Sequence, residues 1–207
     1  MFLPYLKLAA LWIGWCVLHS VMISMPAERF VDGLPWHERR YYRLFYNIVA
    51  AVTFIPAAAY TLVLDRQWVW RWEGPWVIVP LLLFALSAVL FIGGARRYDL
   101  RQFIGLRQLE TRNPGHGLTG SGQLDTGGIL GVVRHPWFAG GIAFLWAFDL
   151  TVSWLITSII LTAYLVIGTF LEERKLIAEF GDEYREYQKR VPRLLPVGFL
   201  TRLWRHE

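Results

Sequence analysis

Cysteine is almost absent: Cys16 is the single one in 207 residues. That excludes a disulfide framework and a thiolate metal cluster. Charge is scarce as well, with Asp, Glu, Lys and Arg together at 18 % against 55 % hydrophobic residues, a balance foreign to an ordinary soluble domain. Four long stretches carry no charged residue at all: Leu8 to Ala27, Leu44 to Leu64, Gly74 to Ala95 and Leu150 to Leu171. Each matches the roughly 20 apolar residues that a helix needs to cross about 30 Å of hydrocarbon. A shorter run, Pro136 to Phe148, is separated from the last by Asp149. The alternation of apolar and polar residues that marks a barrel strand is missing. The expected class is all-α: a polytopic membrane protein of about five transmembrane helices, ending in a helical hairpin and a cytoplasmic helical tail.

A secretory leader is not expected, because only Lys7 precedes a first run already of membrane length. The predicted spans are roughly 5–26, 43–64, 75–95, 136–149 and 151–172, within one membrane domain covering 1–207. Basic residues are distributed unevenly around them. Arg29, Arg39, Arg40 and Arg43 follow the first span, and Arg96, Arg97, Arg101, Arg107, Arg112 and Arg134 follow the third. Arg174, Lys175, Arg185, Lys189, Arg190, Arg193, Arg202 and Arg205 lie in the tail, leaving Lys7, Arg66 and Arg71 for the other side. Eighteen against three predicts an outside N-terminus and a cytoplasmic C-terminus, in the bacterial inner membrane. The same asymmetry accounts for the net charge of +5: a basic face beside anionic lipid requires no nucleic-acid partner.

Between the third and fourth spans lies a glycine-rich cytoplasmic linker, 111–128, reading TRNPGHGLTGSGQLDTGG. Gly115, Gly117 and Gly120 fit G-x-G-x-x-G, but no strand precedes them, so the match is read as chance. The tail, 173–207, begins EERKLIAEFGDEYREYQKRVPRLLP. Its first part is expected to prolong the last spanning helix as far as Gly181. Asp182 is expected to cap a second helix that ends before Pro192. Leu176, Phe180, Tyr184, Tyr187 and Val191 recur every three or four residues, giving that segment an apolar face for the membrane or the other loops.

Chemistry concentrates at the two ends of the final hairpin. In GVVRHPWFAGG, Arg134 and His135 stand just before Pro136, a favoured first helical residue. Donors at a helix start suit an anion or polar ligand, although anchoring at the membrane interface also explains them. Gly140 and Gly141 permit close approach to the backbone. Glu172 and Glu173 sit where the last span ends, and ionisable residues at membrane depth are functional, paired or solvated at the helix end. If the hairpin turns near Leu150, its arms to His135 and Glu172 measure roughly 22 and 33 Å at 1.5 Å per residue. The mismatch of roughly 10 Å means either that no direct contact forms or that a slot remains for an extended ligand of nucleoside size. Asp99, Gln102, Arg107 and Gln108 read mainly as solvated. His19 and Ser20 read as a helix-packing hydrogen bond. His116 and His206 lack partners at ligand spacing, so no metal site is expected.

GVVRHPWFAGG, followed after one hairpin by LEERKLIAEFGDEYREYQKRVPRLLP, resembles the shared C-terminal region of the isoprenylcysteine carboxyl methyltransferases and phospholipid methyltransferases. R-H-P, E-E, F-G-x-x-Y-x-x-Y and V-P-R occur in the same order over about a third of the chain. WCVLHS, YYRLFYN and FIGLRQ are similar to the membrane thiol methyltransferase branch, which methylates methanethiol. The resemblance implies S-adenosylmethionine held at the cytoplasmic side of the last helices. It implies cofactor contacts for Arg134, His135, Pro136 and Gly140, with Leu130 upstream, and for Glu172 and Glu173. Trp137 and Phe138 stand where the family commonly has Tyr. In such a site Glu173, or Glu172, would take a proton from a thiol or amine acceptor. Arg134 would face the reacting groups and orient a carboxylate acceptor, while His135 holds the cofactor. The acceptor is small or lipophilic: a thiol, a lipid amine or a carboxylate. A non-catalytic membrane binding or regulatory protein of the same fold is the alternative.

Overall fold

The computed structural model describes residues 2–35, 37, 40–64, 67–110 and 123–195. Most of the glycine-rich linker, with His116 and the G-x-G-x-x-G match, lies outside the described residues, as do the tail beyond Leu195 and His206. Among the described residues the architecture is all-α, with four helices long and apolar enough to cross a membrane and a shorter apolar fifth. The described residues divide into two compact units, Met1–Glu73 with Leu100–Pro114 and Phe148–Tyr164, and Gly74–Asp99 with Gly115–Ala147 and Leu165–Glu207.

In the first unit, α1 (Leu3–Met22) stops short of the end of its apolar run. Ser24 ends the run's helix by starting another: its Oγ accepts from the Ala27 N–H at 3.4 Å, opening α2 (Met25–Asp32) with a proline in the first turn. The second long helix, α3 (Tyr42–Val63), carries Pro56 in its interior. Trp12 Nε1 donates to Thr61 Oγ1 at 2.9 Å, and Thr61 Oγ1 lies 3.1 Å from Thr157 Oγ1, so buried polar atoms link three helices. His19 is held between the hydroxyls of Tyr46 and Tyr164, the packing role expected of it. Short helices α4 (Leu100–Ile104) and α5 (Arg107–Glu110) follow the third span. Gln102 is fully buried rather than solvated. Asn47 Nδ2 donates to the carbonyls of Phe103 and Ile104 at 3.1 and 2.8 Å, and Arg43 Nε to Phe103 at 3.3 Å. The motifs YYRLFYN and FIGLRQ thus meet there. Gly105, at φ +100°, brings its backbone so close to Arg43 and Leu44 that a Cβ would collide with them.

A two-stranded antiparallel sheet pairs β1 (Trp68–Trp70) with β2 (Leu150–Thr151). Since β1 directly follows α3, the pairing puts Leu150 at the same end of the unit as the exit of α3. From there α8 (Val152–Phe180) departs, about 43 Å long at 1.5 Å per residue and so longer than the hydrocarbon is thick.

The second unit contains α6 (Ile78–Ala95), entered through one turn of tighter helix at Gly74–Val77, and α7 (Pro136–Trp146). These two lie side by side with small residues between them. A Cβ on Gly140 would meet Leu90 and Phe91 at 3.3 to 3.4 Å, and one on Gly94 would overlap the Trp137 ring. Trp137 Nε1 donates to the Phe91 carbonyl at 3.1 Å. Phe138 occupies the corresponding notch over Gly168 of α8, where a Cβ would stand 2.9 Å from its ring. Past Phe180, Gly181 adopts φ +57° and α9 (Asp182–Arg190) begins. Asp182 is the first residue of that helix, not its cap. Gly181 holds the cap position without a side chain, and the Asp182 carboxylate accepts from Arg185 Nη1 at 2.7 Å.

Candidate functional site

The site lies wholly in the second unit, where the start of α7, the far part of α8, α9 and the segment after it converge. Residues 134 and 135 run alongside 192 and 193: the Arg134 N–H donates to the Pro192 carbonyl at 3.0 Å and the His135 N–H to the Arg193 carbonyl at 3.1 Å. Pro136 then starts α7 with no N–H to satisfy. R-H-P and V-P-R are therefore two edges of one backbone pairing.

Glu173 is the hub. Its Oε1 accepts from Arg134 Nε at 2.9 Å and Arg134 Nη2 at 2.6 Å, with His135 Nε2 at 3.2 Å. Its Oε2 accepts from Gln188 Nε2 at 2.9 Å and Arg193 Nη2 at 2.6 Å. Arg134 Nη1 completes the knot by donating to the carbonyls of Gln188, at 3.0 Å, and Val191. The Arg193 guanidinium also lies 3.7 Å above the Phe170 ring. Both Arg134 and Glu173 are buried, an arrangement tolerable only because both charges are matched and hydrogen-bonded.

Glu172 behaves differently. Its Oε2 stands 3.2 Å from His135 Nδ1, an ion-pair distance, and no second donor reaches that oxygen among the described residues. His135 thus sits between two carboxylates. Burial opposes its charged form, but Glu172 and Glu173 outweigh burial, and its pKa is raised. The ring meets Phe138 edge to face at 5.5 Å.

A cleft opens beside this knot, lined by the charged side chains of Arg134, His135 and Glu172. Leu130, Leu176, Phe180, Tyr184 and Tyr187 supply apolar and aromatic lining, together with Tyr98 and the segment Gln123–Asp125. Tyr187 donates to the Leu130 carbonyl, which fixes α9 to the turn before α7. Tyr184, Tyr187 and Val191 pack with Leu124, Leu176, Ile177 and Phe180. The apolar stripe foreseen in the tail therefore faces the loops. Asp125 accepts from Arg97 and from the Gly127 N–H at 2.9 Å. Burial works against its ionised form, but these donors prevail and hold it below the usual carboxylate range.

Of the residues singled out in the sequence, Arg134, His135, Glu172 and Leu130 come together on the cleft wall, while Glu173 lies behind it. Pro136 and Gly140 do not line it; Gly140 faces α6. The expected gap of roughly 10 Å between His135 and Glu172 does not exist, because they are in direct contact. The estimate assumed two helices joined by a tight turn. Instead Ala147–Thr151 is not helical and ends in a two-residue strand, so rise per residue along two helices does not measure the arms. Sequence inspection missed Gln188 and Arg193 as partners of Glu173. Gln188 lies within the quoted tail motif and Arg193 within V-P-R, the one signal that could have marked them.

Fold and site together define an all-α integral-membrane protein with a charged cleft built where its helices end. Along its length the chain is similar to named enzymes. It is 31 % identical over 199 residues to methanethiol S-methyltransferase 2 of Bradyrhizobium diazoefficiens, covering 91 % of this chain and 71 % of that protein. It is likewise 31 % identical to the methanethiol S-methyltransferase of Mycobacterium tuberculosis, over 88 % of this chain and 74 % of the relative. A protein-S-isoprenylcysteine O-methyltransferase of Schizosaccharomyces pombe is 36 % identical over 80 residues, 36 % of this chain and 33 % of that protein. No family model matches the chain. No solved structure matches it. The chain belongs to the isoprenylcysteine methyltransferase-like family of integral-membrane methyltransferases. It is a methyltransferase and so draws on a methyl donor.

Proposed function

We propose that the protein transfers a methyl group from S-adenosylmethionine to a small thiol, in the cleft bounded by Arg134, His135 and Glu172. The observation that carries this is the unequal standing of the two adjacent glutamates: Glu173 is saturated with donors, whereas Glu172, on the cleft wall, is ion-paired among the described residues only with His135. The names of the relatives that match most of the chain support the thiol.

The cleft's composition fits an adenosyl amino acid. Its charged side chains suit the zwitterionic amino-acid part, and its apolar and aromatic ones, Leu130 among them, suit the nucleoside. Bound there, the cofactor supplies an electrophilic methyl group on a sulfonium, open to in-line displacement. Glu172 takes the proton of the acceptor thiol, and the new carbon–sulfur bond forms as the methyl–sulfonium bond breaks. Arg134 and protonated His135 favour the thiolate. Glu173 acts through them, as a positioning residue that fixes both side chains. Pro136 holds the start of α7, and Gly140 serves helix packing. The charge asymmetry supports a cleft opening on the cytoplasmic face of a bacterial inner membrane, with the N-terminus outside.

The test is product partitioning. Membranes containing the protein are incubated with methyl-labelled S-adenosylmethionine and, separately, methanethiol, a phosphatidylethanolamine and a prenylated cysteine acid. Label should appear in the volatile thioether. Label in the lipid or in a base-labile ester instead would overturn the thiol assignment, and label in none would overturn turnover itself. Glu172→Gln should lower the rate by roughly 100-fold or more, the range for loss of a general base.

A further inference from the structure

Two tyrosines on α9, three residues apart, are buried to the same degree yet differ in how their hydroxyls are served. Tyr187, 3 % exposed, donates to the Leu130 carbonyl. Tyr184, 1 % exposed, has a hydroxyl with no hydrogen-bond partner among the described residues, although it lines the same cleft. A buried hydroxyl left unmatched costs free energy that a phenyl ring of nearly the same shape would not. The packing around Tyr184 gives no reason for the oxygen. Its ring meets Tyr187 edge to face at 5.7 Å, and the cluster it forms with Tyr187 and Val191 is packed by Leu124, Leu176, Ile177 and Phe180, surroundings that suit phenylalanine equally well.

We infer that the Tyr184 hydroxyl is a ligand contact, held open for a polar group on the nucleoside part of the methyl donor. This rests on the proposed cofactor reading of the cleft. The nucleoside is favoured over the amino-acid part by the matching of charge. Arg134, His135 and Glu172 supply formal charges on the cleft wall for the ammonium and carboxylate. Tyr184 stands in the apolar cluster and offers a neutral group that both donates and accepts, which suits nucleoside hydroxyls or ring nitrogens. Burial also raises the phenol's pKa, so the group stays neutral and keeps both capacities.

The experiment compares purified full-length wild type, Tyr184→Phe, Tyr187→Phe, Glu172→Gln and His135→Ala in lipid nanodiscs. Affinities are measured calorimetrically for S-adenosylhomocysteine and for 5′-methylthioadenosine, which keeps the nucleoside but lacks the amino-acid part. Thermal melting is followed without ligand. Tyr184→Phe should weaken both ligands about tenfold, the weight of one hydrogen bond, without lowering the ligand-free Tm. Tyr187→Phe should lower that Tm. Unchanged affinity in Tyr184→Phe, while Glu172→Gln and His135→Ala bind weakly, would sink the Tyr184 assignment and leave the cofactor reading standing. A loss confined to S-adenosylhomocysteine would overturn the nucleoside contact. A fall in Tm equal to that of Tyr187→Phe would mean the hydroxyl already has a partner, such as trapped water, and would overturn the inference. Failure of the wild type to bind either ligand would overturn both proposals.

Discussion

Glu172 and Glu173 are neighbours in sequence with opposite environments, and their amides should separate two kinds of failure. Glu173→Gln removes the charge that matches buried Arg134 and half-buried Arg193. Breaking such a buried pair costs about 3–5 kcal/mol, so this variant should melt far below wild type in detergent, with binding lost as a consequence. Glu172→Gln should melt near wild type and lose turnover. Equal melting temperatures for the two variants would contradict the division of roles. His135 gives a pH signature. Its pKa is raised in the folded chain above its ordinary 6.5, because two carboxylates outweigh burial. Its protonation therefore contributes stability that is complete below pH 6.5 and is lost as pH rises through the higher folded value. Melting temperature followed across that window should fall in the wild type, and that part of the fall should vanish in His135→Asn. Superimposable profiles would refute the ion pairing.

Among the helices, contact depends on missing side chains. Trp137 and Phe138, adjacent on α7, each fill a notch made by a glycine, Gly94 on α6 and Gly168 on α8. Close approach over small residues is how helices associate where lipid offers no hydrophobic driving force. A methyl group at Gly94 would overlap the Trp137 ring and strain its bond to Phe91, whereas one at Gly14 meets nothing within 4 Å. Overpacking of this kind costs about 1–3 kcal/mol. Thermal melting should therefore rank Gly94→Ala as the most damaging, Gly168→Ala as milder because a ring must shift, and Gly14→Ala as near neutral. A harmless Gly94→Ala would mean that Trp137 has another place to go.

Over the whole chain, the pairing of β2 with β1 returns the polypeptide to the end where α3 exits before α8 sets out. This predicts an odd number of crossings, with the termini on opposite faces. In a Cys16→Ser background, a cysteine added at position 2 should react with an impermeant maleimide from outside, and one at Glu207 only after permeabilisation. Labelling of both from one side would rule this out. Membrane residence and the helical class were legible in the sequence, because run length and the absence of charge depend only on composition along the chain. The ends of α8 and α9 at Gly181 and before Pro192 were legible too, since backbone restrictions are local. The break of α1 at Ser24 was harder to see, for nothing in hydropathy marks a cap inside an apolar run. The cleft's chemistry was half visible. R-H-P and E-E identified the side chains, but not which glutamate carries the load. That depends on Gln188 and Arg193 reaching Glu173 from 15 and 20 residues away. By itself, then, the sequence determined where the chain lives, what class it folds into and which ionisable residues collect at the hairpin's ends. Only the tertiary structure decided which of them are tied to one another and which oxygens are left open, because hydrogen-bond saturation depends on donors that folding alone brings together.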